Sequence, residues 1–364
     1  MEQQTAETRP PVDQPTHIRQ GEELDAKALR EYISDHIPGL SGDLTIKQFP
    51  SGFSNLTYLI TVGDNQWVLR RPPFGHKAKT AHDMGRENRV LSALHKVYSY
   101  APEPVLFCQD ESVIGCDFYL MKYIKGCIIR SVYPPELNLS PDQVRQQFYR
   151  WLDVLCELHA VDYEAAGLAE LGRPTGYVRR QVDGWTKRYV AAITPDDIPT
   201  FERTIQWLQD KMPPESEKVG IIHNDYKMDN VIWSLQDPMQ LIGVLDWEMA
   251  TLGDPLMDLG CTLGYWVQAD DPEHFRQHPA MPTMAPGAPT RAELVERFSQ
   301  NLGISVEHFD FYFCFGLFRL AGIGQQIYYR YYHGQTSDAR FARLRDKVES
   351  LNLMCEKIMN ESDL

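Results

Sequence analysis

The amino-terminal third of the chain alternates short apolar runs with turn residues. Runs rich in β-branched and aromatic side chains recur between residues 44 and 124, and Gly, Pro, Asn and Asp separate them. This pattern predicts five β-strands, at residues 44–49, 57–62, 67–71, 105–109 and 118–124. A helix is predicted at residues 80–98, after the third strand, and a shorter one at residues 25–36. Residues 1–20 are polar and contain three prolines, which predicts a disordered tail.

The pattern becomes mainly helical after Gly126. Residues 142–159 place their apolar side chains on one helical face, which is typical of a buried helix. That face consists of Phe148, Trp151, Leu152, Leu155 and Leu158. Further elements are predicted after it: helices at residues 176–193 and 199–212, and a β-hairpin from residues 231–233 and 241–245. The remainder is predicted to be helical, apart from a proline-rich loop at residues 270–290.

These elements predict an α+β fold with two lobes. A small antiparallel β-rich lobe is expected at residues 21–125, and a larger, mainly helical lobe at residues 126–364. The chain length of 364 residues agrees with two units, since one domain commonly has ~150 residues.

The composition is that of a globular, acidic protein. Hydrophobic residues make up 43% and charged residues 24%, and the net charge is −14. Because phosphate-rich partners require clustered Lys and Arg, this charge argues against nucleic acids and anionic membranes as partners. No apolar run reaches the ~18 residues that span a bilayer. Seven cysteines without a CxxC pair, and no secretory signal, predict a cytoplasmic protein with reduced thiols.

The densest group of chemically useful residues is the segment HNDYKMDN at residues 223–230, followed by Asp246. Apolar runs predicted as strands lead into both places, so these polar side chains are expected to meet at strand ends. Asp225 is a candidate general base or hydroxyl-orienting group. Asn230 and Asp246 offer the oxygen ligands that Mg²⁺ prefers. Phosphoryl transfer needs this combination, because its catalysis consists mainly of positioning and charge neutralisation. Ordinary turn capping would explain any one of these residues but not the whole set.

The same residues resemble the catalytic parts of a kinase family. His223, Asp225 and Asn230 match the HxDxxxxN catalytic loop, and Asp246 matches the metal-binding Asp of the DFG position. The sequence GDPLMDLG at residues 253–260 resembles the GDPxxDL element of the aminoglycoside phosphotransferase and choline kinase-like family. The resemblance extends over about residues 25–345 and is strongest to the kinase-like domain associated with acyl-CoA dehydrogenases.

This resemblance implies a two-lobed protein-kinase-like fold and a small-molecule kinase that uses ATP and Mg²⁺, with GTP left open as the donor. The loop at residues 50–58 resembles the GxSNxTY nucleotide loop of the family. Gly52, Ser54 and Asn55 are therefore candidates for phosphate binding, although a plain hairpin turn would have the same composition.

A cation is expected on the third strand to hold the nucleotide phosphates. The usual lysine is absent, and Arg70 takes its place by resemblance, while Arg71 points to the opposite face of the strand. Glu87 lies on the apolar face of the following helix and is expected to pair with Arg70; the alternative is a solvated Glu at the edge of that face. Adenine recognition is expected from the backbone between the lobes, with the Lys122 carbonyl and the Ile124 amide as candidates.

The remaining polar residues of the segment have less specific roles. Lys227 is a candidate for neutralising charge on the transferred phosphoryl group, and a solvated loop lysine is the alternative. His223 is expected to brace the catalytic loop through backbone hydrogen bonds. Asp254 and Asp258 are expected to cap the next helix or to brace the loop rather than to bind a ligand.

The acceptor is expected to be a small molecule with a hydroxyl group. Ten aromatic residues occur at positions 309–332, and about two thirds of them are expected in the core, leaving the rest for an acceptor cleft. The loop at residues 270–290 has three acidic residues, which is few for a site that binds a polycationic aminoglycoside. The family resemblance points to a hydroxyacyl group, carried on coenzyme A, and to a functional link with an acyl-CoA dehydrogenase. Two alternatives stay open: a nucleotide-binding pseudokinase that acts as an interaction module, and an antibiotic kinase.

Overall fold

A five-stranded antiparallel sheet dominates the amino-terminal lobe. In the computed structural model, which describes residues 14–50, 55–75, 83–196, 198–336 and 338–364, its strands are β1 (Leu44–Gln48), β2 (Leu56–Val62), β3 (Asn65–Arg71), β4 (Pro104–Cys108) and β5 (Phe118–Lys122). The strands follow one another in the order β1-β2-β3-β5-β4. Three helices accompany the sheet: α1 (Ala26–His36), α2 (Met84–Leu94) and α3 (Glu111–Ile114). The five predicted strands are confirmed.

The rest of the chain is mainly helical. Its helices are α4 (Pro141–His159), α5 (Tyr177–Ala191), α6 (Glu202–Asp210), α7 (Pro255–Leu263), α8 (Glu273–Arg276), α9 (Arg291–Leu302), α10 (Phe309–Tyr332) and α11 (Leu344–Glu361). Short 3₁₀ turns lie at Pro135–Leu137, Met228–Asn230, Trp247–Met249 and Ala339–Arg343. Two small antiparallel ladders join β6 (Gly220–Ile222) to β9 (Thr251–Gly253), and β7 (Val231–Trp233) to β8 (Leu241–Val244).

Helix α4 forms where its sequence predicts a buried helix. Ser140 caps its amino end, and the Gln143 side chain accepts from the Ser140 amide in return, which completes a capping box. The predicted apolar face is fully buried, including Phe148 and Trp151. This face anchors the core of the helical lobe.

Three short elements depart from the predicted pattern. Helix α3 lies among the predicted strands, β9 pairs with β6, and α8 lies inside the predicted loop at residues 270–290. Each has three or four residues, which is too short to show a period of hydrophobic positions.

The predicted disordered tail does not hold for residues 14–20. Thr16 pairs with Gln48 at the end of β1, through Thr16 N to Gln48 O at 2.7 Å and Gln48 N to Thr16 O at 3.0 Å. The exposed edge of β1 offers unpaired backbone groups, and this segment satisfies them. Residues 1–13 lie outside the described residues.

Strand alternation in β3 decides which arginine faces the helical lobe. Val68 packs into the core shared with that lobe, whereas Leu69 packs into the core beneath α1. Arg70 therefore points to the same side as Val68. Arg71 points to the other side, where its Nη1 donates to the Ile114 carbonyl at 3.3 Å.

Helices α7 and α10 cross at two glycines. A Cβ at Gly260 would collide with the Tyr312 carbonyl oxygen, and a Cβ at Gly316 would collide with the Gly260 carbonyl oxygen. The backbones therefore touch at this crossing, which holds α10 against the segment that follows Asp246. Among the helices of the described ranges, none is long and apolar enough to cross a membrane.

We expect Gly316→Ala to lower the free energy of unfolding by about 3 kcal/mol, because the added methyl group would overlap rigid backbone. Gly324→Ala is the matched control in the same helix, since its Cβ would lie 3.4 Å from Val348 Cγ2, an ordinary contact. That control is expected to be neutral or to gain up to ~1 kcal/mol of helix propensity. Urea denaturation measures both variants, and equal stability of the two would contradict the close crossing.

Candidate active site

The predicted catalytic segment lies at the open end of the β7–β8 hairpin. Val231 pairs with Val244, so the residues on either side of the hairpin, Asn230 and Asp246, are brought to the same place. The Leu245 amide donates to the Asn230 carbonyl at 2.8 Å and extends this pairing. Asp246 has a positive φ of 67°, which turns the chain sharply after the strand.

Asp225 accepts hydrogen bonds from two elements. The Asn230 side-chain amide donates to its Oδ2 at 3.0 Å, and the Tyr265 hydroxyl donates to its Oδ1 at 3.2 Å. Lys227 Nζ lies 3.2 Å from Oδ2. These contacts hold the Asp225 carboxylate in one orientation, with a cation beside it.

Lys227 is held within the site. Its side chain is 23% exposed, and its ammonium group also lies 3.8 Å from Asp229 Oδ2. Burial opposes the charge on Lys227, but the groups around it outweigh burial and raise its pKa. The expected alternative, a solvated loop lysine, is therefore wrong.

A buried carboxylate braces the catalytic loop from below. Asp258 of α7 accepts from the His223 and Asn224 amides, both at 2.7 Å, and from His159 Nε2 at 3.0 Å. Burial opposes ionisation of Asp258, but these hydrogen bonds and the neighbouring histidines outweigh it and lower its pKa. The Asp254 side chain accepts from the Leu256 amide and caps α7. Both expected structural roles are confirmed.

His223 has the bracing role that its position predicts. The Asp225 amide donates to His223 Nδ1 at 3.2 Å, so that nitrogen carries no proton. Nε2 therefore carries the proton and donates to the Leu245 carbonyl at 2.8 Å. The ring therefore ties the catalytic loop to the end of β8 through both of its nitrogens.

Arg70 joins the two lobes at the site. Its Nη2 lies 2.9 Å from Asp246 Oδ1 and 3.8 Å from Glu248 Oε2, and its Nε lies 3.5 Å from Glu87 Oε1. Glu87 is 2% exposed, and burial raises its pKa although the charge of Arg70 opposes the shift. The predicted Arg70–Glu87 ion pair is confirmed, and the arginine also reaches Asp246.

The nucleotide-loop candidates are described only in part. Gly52 and Ser54 lie outside the described residues. Asn55 is buried, and its side-chain amide donates to Glu248 Oε2 at 2.8 Å. Glu248 thus links Asn55, which lies 193 positions before it, to Arg70, and no sequence pattern indicated this link.

The linker candidates stand at the junction of the lobes. Lys122 ends β5, and its amide already donates to the Glu103 carbonyl at 2.8 Å. Ile124 follows it, and two residues later a Cβ at Gly126 would collide with Ile232, so the linker is pressed against β7. The backbone here passes from the sheet lobe to the β7–β8 hairpin.

The oxygens at the hairpin end fit a hard cation. Asn230 Oδ1 and Asp246 Oδ2 accept no hydrogen bond from the residues that the structure describes, although the other polar atom of each side chain is engaged. Within the same ranges, no group of three or more His, Cys, Asp or Glu side chains could hold a metal by itself. One carboxylate and one amide suit Mg²⁺, which commonly keeps water and phosphate oxygens as its other ligands.

The family of this chain is identified by a family model that covers the residues of this site. The model of the phosphotransferase enzyme family matches residues 45–293, which is more than half of the chain. The chain belongs to the phosphotransferase enzyme family. It is a small-molecule kinase, as the catalytic segment predicted.

This phosphotransferase is similar to a curated relative and to a solved structure. Acyl-CoA dehydrogenase family member 11 of Gallus gallus is 32% identical over 359 residues, covering 96% of this chain and 46% of the relative. The chain thus spans about half the length of that curated relative. A candidate aminoglycoside phosphotransferase from Ralstonia eutropha JMP134 is 31% identical with a TM-score of 0.76, covering 92% of this chain and 99% of that one.

Spectinomycin phosphotransferase, solved with ADP and spectinomycin, shares the fold at 14% identity and a TM-score of 0.57, covering 93% of this chain and 100% of that one. The two-lobed protein-kinase-like fold is therefore confirmed.

The two segments that the sequence analysis considered for the acceptor are α10 and the loop at residues 270–290. Of the ten aromatic residues at positions 309–332, six are buried, in agreement with the expected two thirds. Met281 is buried under the catalytic loop, where its sulfur accepts from the Met228 amide at 3.3 Å. Asp271 is neutralised by Arg291, which lies 2.5 Å away. The loop at residues 270–290 therefore presents fewer free acids than its sequence contains.

A separate groove of about 890 Å³ lies between α9, α10 and α11. Its lining includes Arg291, Phe313 and Ile358 but none of the site residues above. This groove is therefore separate from the candidate site at the hairpin end.

Proposed function

We propose that this chain catalyses transfer of the γ-phosphoryl group of ATP to a hydroxyl group of a small molecule, with Mg²⁺ as cofactor. The observation that carries the proposal is the meeting of Asp225, Asn230 and Asp246 at one hairpin end, with Arg70 reaching them from the other lobe. Phosphoryl transfer needs a base, metal-binding oxygens and a phosphate-binding cation in one place.

Asp225 would orient the acceptor hydroxyl and take its proton. Its carboxylate is already fixed by Asn230 and Tyr265, so little reorganisation is needed. Lys227, beside that carboxylate, would offset negative charge on the transferred group. Asn230 Oδ1 and Asp246 Oδ2 would hold Mg²⁺. The bound ion would neutralise charge on the phosphates.

The nucleotide would be held by the sheet lobe and the linker. Arg70 would bind phosphate oxygens through its guanidinium fork, with Glu87 fixing its position. The loop of Gly52, Ser54 and Asn55 would cover the phosphates. The Lys122 carbonyl and the Ile124 amide would bind the base. A protein of the same fold, spectinomycin phosphotransferase, was solved in complex with ADP, which supports a nucleotide as the phosphoryl donor.

For the acceptor we propose a hydroxyacyl compound, free or as its coenzyme A thioester, in functional association with an acyl-CoA dehydrogenase. The curated relative carries that enzyme name and is about twice as long as this chain. The acid-poor loop at residues 270–290 supports a neutral or anionic acceptor over a polycationic drug.

An acceptor screen by ADP release tests this function. Purified protein with ATP and Mg²⁺ is given hydroxy acids, hydroxyacyl-CoA thioesters, choline and aminoglycosides in separate reactions. We expect release above background with the hydroxyacyl compounds. Release with aminoglycosides alone would instead make the protein an antibiotic kinase, and nucleotide binding without release for any acceptor would make it a pseudokinase.

A further inference from the structure

Arg319 is a buried cation, and the part of the chain that the structure describes gives it no acidic partner. It lies on α10 and is 3% exposed. Its Nη2 donates to the Met249 sulfur at 3.6 Å, and its guanidinium carbon lies 5.3 Å from the centre of the Trp185 ring. Across the described ranges, no carboxylate lies within ion-pair distance of this side chain.

Such an arrangement is costly for folding alone. A buried guanidinium normally has a carboxylate beside it, because sulfur and aromatic contacts replace its hydration only in part. Arg70, which is buried, follows that rule, because Asp246 and Glu87 lie beside its guanidinium. An unpaired buried charge is therefore expected to receive its partner from a ligand.

Arg319 lies beside the catalytic loop. The carbonyl of Met249, whose sulfur contacts Arg319, accepts from the Asn224 side chain at 3.0 Å. Asn224 directly precedes Asp225. Burial lowers the pKa of the Arg319 guanidinium, but Cys261 first, then Tyr265 and Asp225, outweigh burial and raise it.

The described contacts of Arg319 do not include Arg70, Glu87 or Asp246. Arg70, Glu87 and Asp246 form one connected group, and Arg319 belongs to another, with Trp185 and Met249. A group bound to Arg319 would thus belong to the acceptor, whose hydroxyl must reach Asp225.

We propose that Arg319 binds an acyl oxygen of the acceptor, either the carboxylate of a hydroxy acid or the carbonyl of its thioester, and thereby sets acceptor specificity. This inference deepens the proposed function and rests on it. A guanidinium presents its N–H donors as a planar fork that matches a carboxylate and also serves a single carbonyl oxygen. Its positive charge disfavours cationic acceptors. Both the hydroxyl and the acyl oxygen must belong to one acyl chain that spans from Asp225 to Arg319.

The test compares acceptors that differ only in the acyl oxygen. The acids are lactate, 3-hydroxybutyrate and 4-hydroxybutyrate, used free and as coenzyme A thioesters, and the matched diols are 1,2-propanediol, 1,3-butanediol and 1,4-butanediol. The quantity compared is kcat/KM for the preferred acyl acceptor divided by kcat/KM for its matched diol. Arg319→Gln is expected to lower this ratio by roughly 10- to 100-fold. Free acids and thioesters, assayed separately, distinguish a carboxylate from a carbonyl.

Two further variants separate binding from structure. Arg319→Lys keeps the charge without the fork, and we expect a smaller fall in the same ratio. Arg188→Gln is the matched control, since Arg188 is exposed and its guanidinium lies 4.8 Å from the centre of the same Trp185 ring. It is expected to keep the native ratio. Were Arg319→Gln to unfold, Arg319→Lys would carry the comparison.

Calorimetric titration of the same acids and thioesters distinguishes this inference from the proposed function. The native protein could phosphorylate none of these compounds and still bind one of them, with that binding lost in Arg319→Gln. This result would refute the proposed phosphotransfer to hydroxyacyl compounds and would support the inference about Arg319. If native protein prefers no acyl acceptor over its diol, or if both Arg319 variants keep the native ratio and affinity, the inference is overturned while phosphotransfer can still hold.

Discussion

Replacing Asp225 with asparagine is expected to lower kcat by at least about 100-fold, with little change in the KM for ATP. The substitution keeps the size of the side chain and an oxygen for the Tyr265 hydroxyl, but it removes the charge that we propose orients and deprotonates the acceptor. Steady-state kinetics with the preferred acceptor from the ADP-release screen measures both constants.

Asp229→Asn is the matched control for this prediction. Asp229 is the other carboxylate near Lys227, at 3.8 Å, and we assign it no contact with the acceptor. Its variant should keep most of the native kcat. Near-native turnover in Asp225→Asn would remove Asp225 from the chemistry and with it the assignment of the catalytic segment.

Replacing Asp246 with asparagine is expected to lower turnover by roughly 100-fold or more and to raise the Mg²⁺ concentration needed for half-maximal activity. The variant loses the only carboxylate that we assign to the cation, and Arg70 loses its closest ion pair. Mg²⁺ titrations of turnover and of ADP binding measure the two effects.

Asp270→Asn serves as the control, because Asp270 is an exposed acid of the loop at residues 270–290. It should show the native dependence on Mg²⁺. If Asp246→Asn also showed that dependence, the cation would bind elsewhere and the hairpin end would not be the metal site.

Local patterns predicted those parts of the site that lie at the ends of regular elements. Asn230 and Asp246 meet because the β7–β8 hairpin joins their positions, and the hairpin was visible as two apolar runs. The Arg70–Glu87 pair followed from strand alternation and from the helical face that carries Glu87. The bracing by Asp258 followed from the motif GDPLMDLG and its family resemblance.

Other parts of the site depend on how distant segments pack, which no local pattern records. Tyr265 reaches Asp225 because it lies two residues after the end of α7, and Arg319 reaches the same region because α10 crosses α7 at Gly260 and Gly316. Both residues stand in runs of aromatic and apolar side chains that are typical of an ordinary core. The glycines at the crossing were the available signal, but a glycine inside a helix does not by itself indicate a close crossing.

The short elements were missed for a different reason. Helix α3 and strand β9 are stabilised by a cap at Asp110 and by pairing with β6, and neither contains enough positions to show a period. The prediction of a disordered tail was wrong for residues 14–20, because a polar composition says nothing about backbone pairing. Thr16 is bound to the sheet edge through main-chain atoms.

The central claim is that this chain moves a phosphoryl group from ATP to a hydroxyl group through Asp225. The most direct measurement follows γ-labelled ATP with native protein and with Asp225→Asn, using the hydroxyacyl acceptors and detecting the label on the acceptor itself. The account predicts a phosphorylated acceptor with the native protein and almost none with the variant. Label that appears only as free phosphate with every acceptor, or equally on the acceptor with both proteins, would contradict it.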